Sequence, residues 1–596
     1  MSIYYLWDEE LRRELNNQGQ NYWFSYIEEM LSWLGVRGQA LALAELEETC
    51  LKSGDVLFTG ASALSARALP AIREGLENGM TLIGFRTGQA DEIFGIEKSG
   101  IEHSQHDDFT FNGYFALRED IKKELLPVPE RSPDLPVFSG ITAVEASGAE
   151  VLAEIDVDNR TVPGLVKYGS VWYFTFDLPK TLWVSAMGKP VYEGVEEFPW
   201  AARIVDSRIT PCGYDTSIAY GDYFMYILQT VIARLGYPML HRLPPTPDGE
   251  VPDLLLFYGG DEDATESKVT LRAAEIMKER GLPYHINLMP DGEDVSYTLT
   301  DEEFDYLTSL GIELSFHYQM NTWEKWAFFS RENFRLQYRE YLRRFGTPAV
   351  STVGHCLITK GWAERGRFLS ELGVKGDNVR LAELTPPGEL NAFNLHGFAF
   401  GVTFPFFMRE DAEHGNRKLP FVEMQISYYE PRIGGEYLGG EKKIRTCLDR
   451  AAFFGRVINL FLHPHYITDN YGYDNGLTLA ALDEVERYLA ERGYKAIHTT
   501  PDKVCLFWHE RDASYASVPV YGKNGEVICR VYSSCQDGLI VRFPLLYDDQ
   551  YPTDVLVDGN HSEAEIKQVD GLKWIMVPVA GVGHHIITLR KERSEE

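Results

Sequence analysis

Between residues 251 and 510 the chain alternates short apolar runs with longer stretches whose apolar residues recur every third or fourth position. Leu254–Phe257, Tyr284–Leu288, Ile312–Phe316, Ala349–Val353, Val457–Leu462 and Lys495–His498 read as strands. The stretches 268–280, 301–310, 333–345, 362–372 and 478–492 read as helices. An unbroken apolar run suits a strand buried on both faces, and a 3.6-residue period suits a helix laid against a sheet. Strand and helix in alternation specify parallel strands with helical crossovers, so one barrel-like domain is expected here.

The first 240 residues show a similar rhythm. Asn21–Trp33 and Ala68–Asn78 read as helices, the second with Pro70 in its first turn, and Asp55–Gly60 and Met80–Phe85 read as strands. From Glu145 the pattern changes to short strands. In Val171–Asp177, Trp172, Phe174 and Phe176 alternate with Tyr173 and Thr175, the mark of a half-buried strand. The Pro-rich stretch Pro244–Gly249 reads as a boundary. Beyond Ala513 six short runs (518–521, 527–532, 539–543, 554–557, 573–579 and 584–589) are separated by Gly, Asn and Asp, as in a small β-sandwich. Domains are therefore expected at 1–244, 245–511 and 512–596.

Composition narrows the function classes. A length of 596 residues exceeds one ordinary core, and 44% hydrophobic with 13% aromatic residues marks a globular chain. The formal net charge of −32 argues against nucleic acid or an anionic membrane as partner. No apolar run approaches the roughly 18 residues of a membrane span, and the first ten residues lack a signal-peptide pattern. Seven scattered cysteines without a CxxC pair suit a reducing, cytoplasmic setting and argue against a cysteine-based metal site.

The chemistry gathers at strand ends. After Leu254–Phe257 come Gly259 and Gly260, read as a sharp turn, and then Asp261, Glu262 and Asp263. Adjacent carboxylates repel unless a cation or a shared proton relieves them; the plainer reading is an acidic turn before the helix starting near Ser267. His317, His355, and the pair His463 and His465 each follow an apolar run. Parallel strands deliver such ends to one face, so an Asp/His site for a divalent cation is expected, Zn²⁺ first, with Ni²⁺, Co²⁺ and Mn²⁺ as alternatives. Phe404–Asp411 and Tyr428–Glu430 are expected to line the site.

The order of these motifs resembles the polysaccharide deacetylase family, carbohydrate esterase family four. Asp261-Glu-Asp263 stands where the family has paired aspartates, Gly311-Ile-Glu-Leu-Ser-Phe-His317 matches its second motif, and Leu460-Phe-Leu-His463 matches its last. The resemblance implies a distorted (β/α)7 barrel that removes an acetyl group from a carbohydrate. Asp261 would be general base and His463 general acid, with Asp263, His317 and His355 as metal ligands. Glu262, Asn321, His465, Arg409 and Asp411 are further candidates. Asn321 stands where the family has a second metal histidine, and amide oxygen is a poor Zn²⁺ ligand. The first 240 residues resemble the class I glutamine amidotransferase-like fold, a flavodoxin-like α/β domain. Its nucleophile turn here reads Gly84-Phe-Arg-Thr-Gly88, without Cys or Ser, so no acyl chemistry is expected there, and Arg86 reads as a surface residue.

The implied partner is an oligosaccharide, with a homo-oligomer compatible with the accessory domain. The alternatives are a silent saccharide-binding barrel using Trp323, Trp326, Phe328 and Phe329, or a polysaccharide-active glycosidase or lyase.

Overall fold

The structure is a computed structural model. It describes all residues except 61–67, 88–90, 104–107, 129–132, 193–201, 210–214, 216, 291–295, 320–328, 382–396, 432–439, 469–474, 523–525, 546–551, 553 and 591–596.

The first unit is built on a nine-stranded sheet. Gly38–Ala42, Ile3–Trp7, Val56–Thr59, Thr81–Phe85 and Val171–Phe174 lie side by side in parallel. Arg160–Tyr168, Glu150–Val157, Gly113–Leu117 and Leu135–Val137 extend them in antiparallel order. Asp158 and Asn159 turn the hairpin between 157 and 160 at φ 50° and 58°, the left-handed values that favour such residues. The strand Val171–Phe174 corrects the half-buried reading. Its four residues are all buried, because it sits mid-sheet with a layer on each face. Arg86, just past Thr81–Phe85, adopts left-handed backbone at φ 45°. It is no bare surface residue: its Nε donates to Thr142 Oγ1 (3.2 Å) and its Nη2 to Glu102 Oε2 (2.9 Å).

The central sheet runs Phe406–Arg409, Lys418–Ile426, Gly376–Leu381, Ser351–Gly354, Glu313–Tyr318, His285–Leu288, Leu254–Asp261, Val457–Phe461, Tyr428–Tyr429. All neighbours are parallel except the first pair. Ala496–Thr499 adds a strand beside Leu254–Phe257. Lys418–Ile426 and Tyr428–Tyr429 stand near opposite ends of that order, yet Ser427 alone separates them, so the sheet curls back towards itself. The hydrogen-bonded ladder does not run unbroken round a closed barrel, since the pairing breaks at Ser427. The chain is thus α/β with parallel-strand sheets.

The glycines of Gly259-Gly260 do not turn the chain. The strand continues through them to Asp261, and a Cβ at Gly260 would overlap the carbonyl of Leu462, which the neighbouring chain presses against it. Glycine here permits close approach of two backbones.

The last residues form two antiparallel sheets sharing one apolar cluster that includes Cys529, Val531, Val541, Val577 and Ile587. The edge strand Met239–Leu240 pairs with Leu539–Pro544, so residues far earlier in the chain complete one of these sheets. No helix among the described residues is long and apolar enough to cross a membrane.

Candidate metal centre

Parallel strands bring four residues to one edge of the central sheet. Asp261 ends its strand, His317 lies one residue from the end of Glu313–Tyr318, His355 directly follows Ser351–Gly354, and His463 follows Val457–Phe461 by one residue. After Asp261 the chain turns through Asp263 and Ala264 at φ 52° and 53°, which returns the second aspartate towards the first. Asp261, Asp263 and His463 each place one ligand atom within 4.8 Å of the others.

His317 is fully buried, and its Nδ1 lies 2.8 Å from the carbonyl oxygen of Val353. A carbonyl only accepts, so Nδ1 carries a proton, and in the neutral ring Nε2 keeps the lone pair. That Nε2 faces Asp263 Oδ1 at 3.4 Å, and His355 Nε2 stands 4.0 Å from the same oxygen. The other oxygen of Asp263 is 3.3 Å from His463 Nε2, which is also 4.0 Å from Asp261 Oδ2. Asp261 Oδ1 lies 3.6 Å from His317 Nδ1.

His463 is held from behind. Glu430 Oε1 accepts from its backbone N–H (2.8 Å) and lies 2.5 Å from Nδ1. A carboxylate at Nδ1 fixes the ring and directs Nε2 into the cluster. Glu430 is buried and sits at φ 46°, just past Tyr428–Tyr429. The sequence marked it as lining; its pairing with His463 was not legible, because 33 residues separate the two.

The charges are strongly coupled. Burial raises the Asp261 carboxyl, partly offset by His317 and His463. Burial also works to raise Asp263, but His463 and His317 hold it well below the usual carboxylate range. His463 is lifted well above the usual histidine range against the cost of its burial, by Asp263 and Glu430. His317 and His355 are raised against their burial as well, the first by Asp261 and Asp263, the second by Cys356 and Asp263.

Three buried atoms at this edge have no hydrogen-bond partner: Asp261 Oδ1, Asp263 Oδ1 and His317 Nε2. Buried polar atoms are costly when unsatisfied, and a cation at Asp263 Oδ1 would satisfy that oxygen and the His317 Nε2 that faces it. Mixed carboxylate and imidazole donors suit Zn²⁺ and its first-row neighbours, so the residues fit such an ion.

The remaining candidates make contacts of their own. Glu262 Oε1 accepts from the Met289 amide (3.0 Å), so this side chain braces the next strand end. Arg409 is buried against the first unit and ion-pairs with Glu28 (2.5 Å), because its strand lies at the sheet edge facing helix Ile27–Leu34. Asp411 caps the turn Ala412–His414 and bonds His414 Nδ1 at 2.8 Å. His465 lies beside His463, with rings tilted by 33° and centroids 5.2 Å apart, outside the Asp261–Asp263–His463 group. Asn321, Trp323, Trp326 and Phe328 lie outside the described residues; Phe329 packs on Phe334 and Phe368.

No protein-family model matches the chain, and no curated protein matches it. Among solved structures, a β-galactosidase from Bacillus circulans sp. alkalophilus is 13% identical, covering 30% of this chain and 30% of its own, with TM-score 0.24. An α-L-fucosidase from Paenibacillus thiaminolyticus is 14% identical over 30% of each chain, with TM-score 0.23. A protein assigned as a polysaccharide deacetylase involved in O-antigen biosynthesis, from Bordetella bronchiseptica, is 14% identical over 39% of this chain and 82% of its own, with TM-score 0.22. The chain thus spans about three tenths of the β-galactosidase. Likenesses this slight carry no argument, and the site stands on its own geometry.

Proposed function

We propose that the chain is a metal-dependent hydrolase that removes an N- or O-acyl group from a carbohydrate. The observation that carries this is the gathering of Asp261, Asp263 and His463 within 4.8 Å at parallel strand ends, with His317 Nε2 and His355 Nε2 facing Asp263 Oδ1. The curling parallel sheet, in which Lys418–Ile426 and Tyr428–Tyr429 flank Ser427, supports the reading of a distorted barrel of seven strands. The units 1–244, 245–511 and 512–596 serve in this reading as amidotransferase-like accessory domain, catalytic barrel and β-sandwich.

Asp263, His317 and His355 would hold a divalent cation, which polarises a carbonyl and lowers the pKa of water. Asp261, made more basic by burial, accepts the proton of the attacking water. His463, oriented by Glu430, donates a proton to the departing amine or alkoxide, so the acyl group leaves as a carboxylic acid and the sugar as a free amine or alcohol.

Metal content of the purified full chain, beside His317→Ala, His355→Ala and His463→Ala, tests this. About one cation per chain is expected, lost in the first two variants and kept in the third, with acetate released from acetylated oligosaccharides by the unaltered protein alone. A folded chain that takes up no Zn²⁺, Ni²⁺, Co²⁺ or Mn²⁺ would falsify the reading. Loss of metal only in His463→Ala would exchange the roles of His463 and His355.

A further inference from the structure

His355 sits on a strained turn. Cys356 and Leu357, which follow it, both adopt left-handed backbone, at φ 54° and 55°. Left-handed backbone is strained for a non-glycine residue, and two in succession persist only where the surroundings hold them. What holds them comes from the first unit, more than 150 residues earlier in the chain.

Arg203 Nε donates to the carbonyl oxygen of Cys356 at 2.8 Å. Arg203 also forms an antiparallel bridge with Ile358, and the Thr359 amide donates to Ala202 O at 2.9 Å. Further along, Val191 and Gly361 exchange both backbone hydrogen bonds (2.9 and 2.5 Å), and Trp362 Nε1 donates to Gly188 O at 2.9 Å. Ile204, the next residue after Arg203, is buried in one apolar cluster with Val353, Leu357, Val379 and Phe461. The first unit therefore enters the strand-end face of the central sheet and grips the turn 355–362 along its length.

We propose that this grip makes the first unit part of the metal centre, with Arg203 a positioning residue that acts through the Cys356 carbonyl to aim His355 at Asp263. The inference rests on the metal-dependent reading above. Without the Arg203 bond, the left-handed pair relaxes and His355 Nε2 swings away from Asp263 Oδ1, while Asp261, Asp263, His317 and His463 keep their places on other strands.

The test uses metal-stripped full-length protein titrated with Co²⁺ alone, followed by visible absorption, with melting of the metal-free chain measured in parallel. Arg203→Ala is expected to weaken Co²⁺ binding by about 10–100-fold, the range for losing a partner behind a ligand. It should also shift the absorption bands as one nitrogen donor is lost, with metal-free melting unchanged. Arg203→Gln, which keeps a donor on a shorter stem, should fall between, and it carries the comparison if Arg203→Ala does not fold. Equal affinity and identical bands in a folded variant would overturn this inference and leave the metal reading standing. An unaltered, folded chain that binds no Co²⁺ would remove both.

Discussion

Glu29 is 3% exposed, and its carboxyl is pushed up to about 7 by burial, with Lys418 and Arg409 only partly offsetting the cost. One oxygen accepts from the Phe407 amide at 3.2 Å, and the other has no partner. In the unfolded chain this carboxyl ionises near its ordinary pKa, so between about pH 4.5 and pH 7 the native state binds the extra proton. Stability is therefore greatest below that window and declines as pH rises through it, by roughly 3 kcal/mol in total. Glu29→Gln keeps the acceptor for Phe407 and removes the titration. Denaturant midpoints at pH 5 and pH 8 should differ less in the variant than in the unaltered protein; an equal difference would show that Glu29 does not titrate there. Nothing around Glu29 in sequence signals this: it occupies a polar position of an amphipathic helix, and only the packing of Phe406–Arg409 against that helix buries it.

At the scale of elements, strands with apolar faces were legible and strands with buried charges were not. Leu254–Asp261 and Val457–Phe461 announce themselves as apolar runs, and the strand-end histidines follow from them. Gly376–Leu381 reads Gly-Asp-Asn-Val-Arg-Leu, which looks like a loop, yet all six residues are buried. Its Asp377 lies 2.6 Å from Arg365, which reaches Glu423 of Lys418–Ile426 at 2.5 Å, with Arg380 3.5 Å from the same carboxylate. These four charges are at most 2% exposed, so charge pairing does here what apolar packing does elsewhere, and the hydrophobic period vanishes. Asp261 and Asp263 were legible as a pair because only Glu262 separates them; the link from Glu430 to His463 exists only across strands. Removing one partner strands buried charge, so Arg365→Ala should cost about 3–5 kcal/mol in denaturant unfolding. A loss under about 1 kcal/mol would show that water reaches and screens the acids.

At the scale of the whole molecule, the units are joined by buried polar contacts. Arg242 Nη2 lies 2.6 Å from Asp570 and Arg542 Nη1 lies 3.1 Å from the same oxygen, all three side chains fully buried. Gln229, on the helix Tyr220–Arg234, donates to Asp570 at 3.1 Å and accepts from both arginines. One carboxylate thus balances two guanidiniums from residues far apart in the chain, Arg242 and Arg542. Asp570→Ala should destabilise the first and last units together, by about 3–5 kcal/mol, and heating the unaltered protein should give one transition for both. Two separate transitions in calorimetry, with only the later one moved by the substitution, would refute the coupling. The same contact sets a timetable for birth on the ribosome. Arg242 emerges 328 residues before Asp570, an interval of roughly 15–65 s at about 5–20 residues per second. Met239–Leu240 has no strand to meet until Leu539–Pro544 is made, and Arg242 no Asp570 until the end of that interval, so this junction can close only late in synthesis.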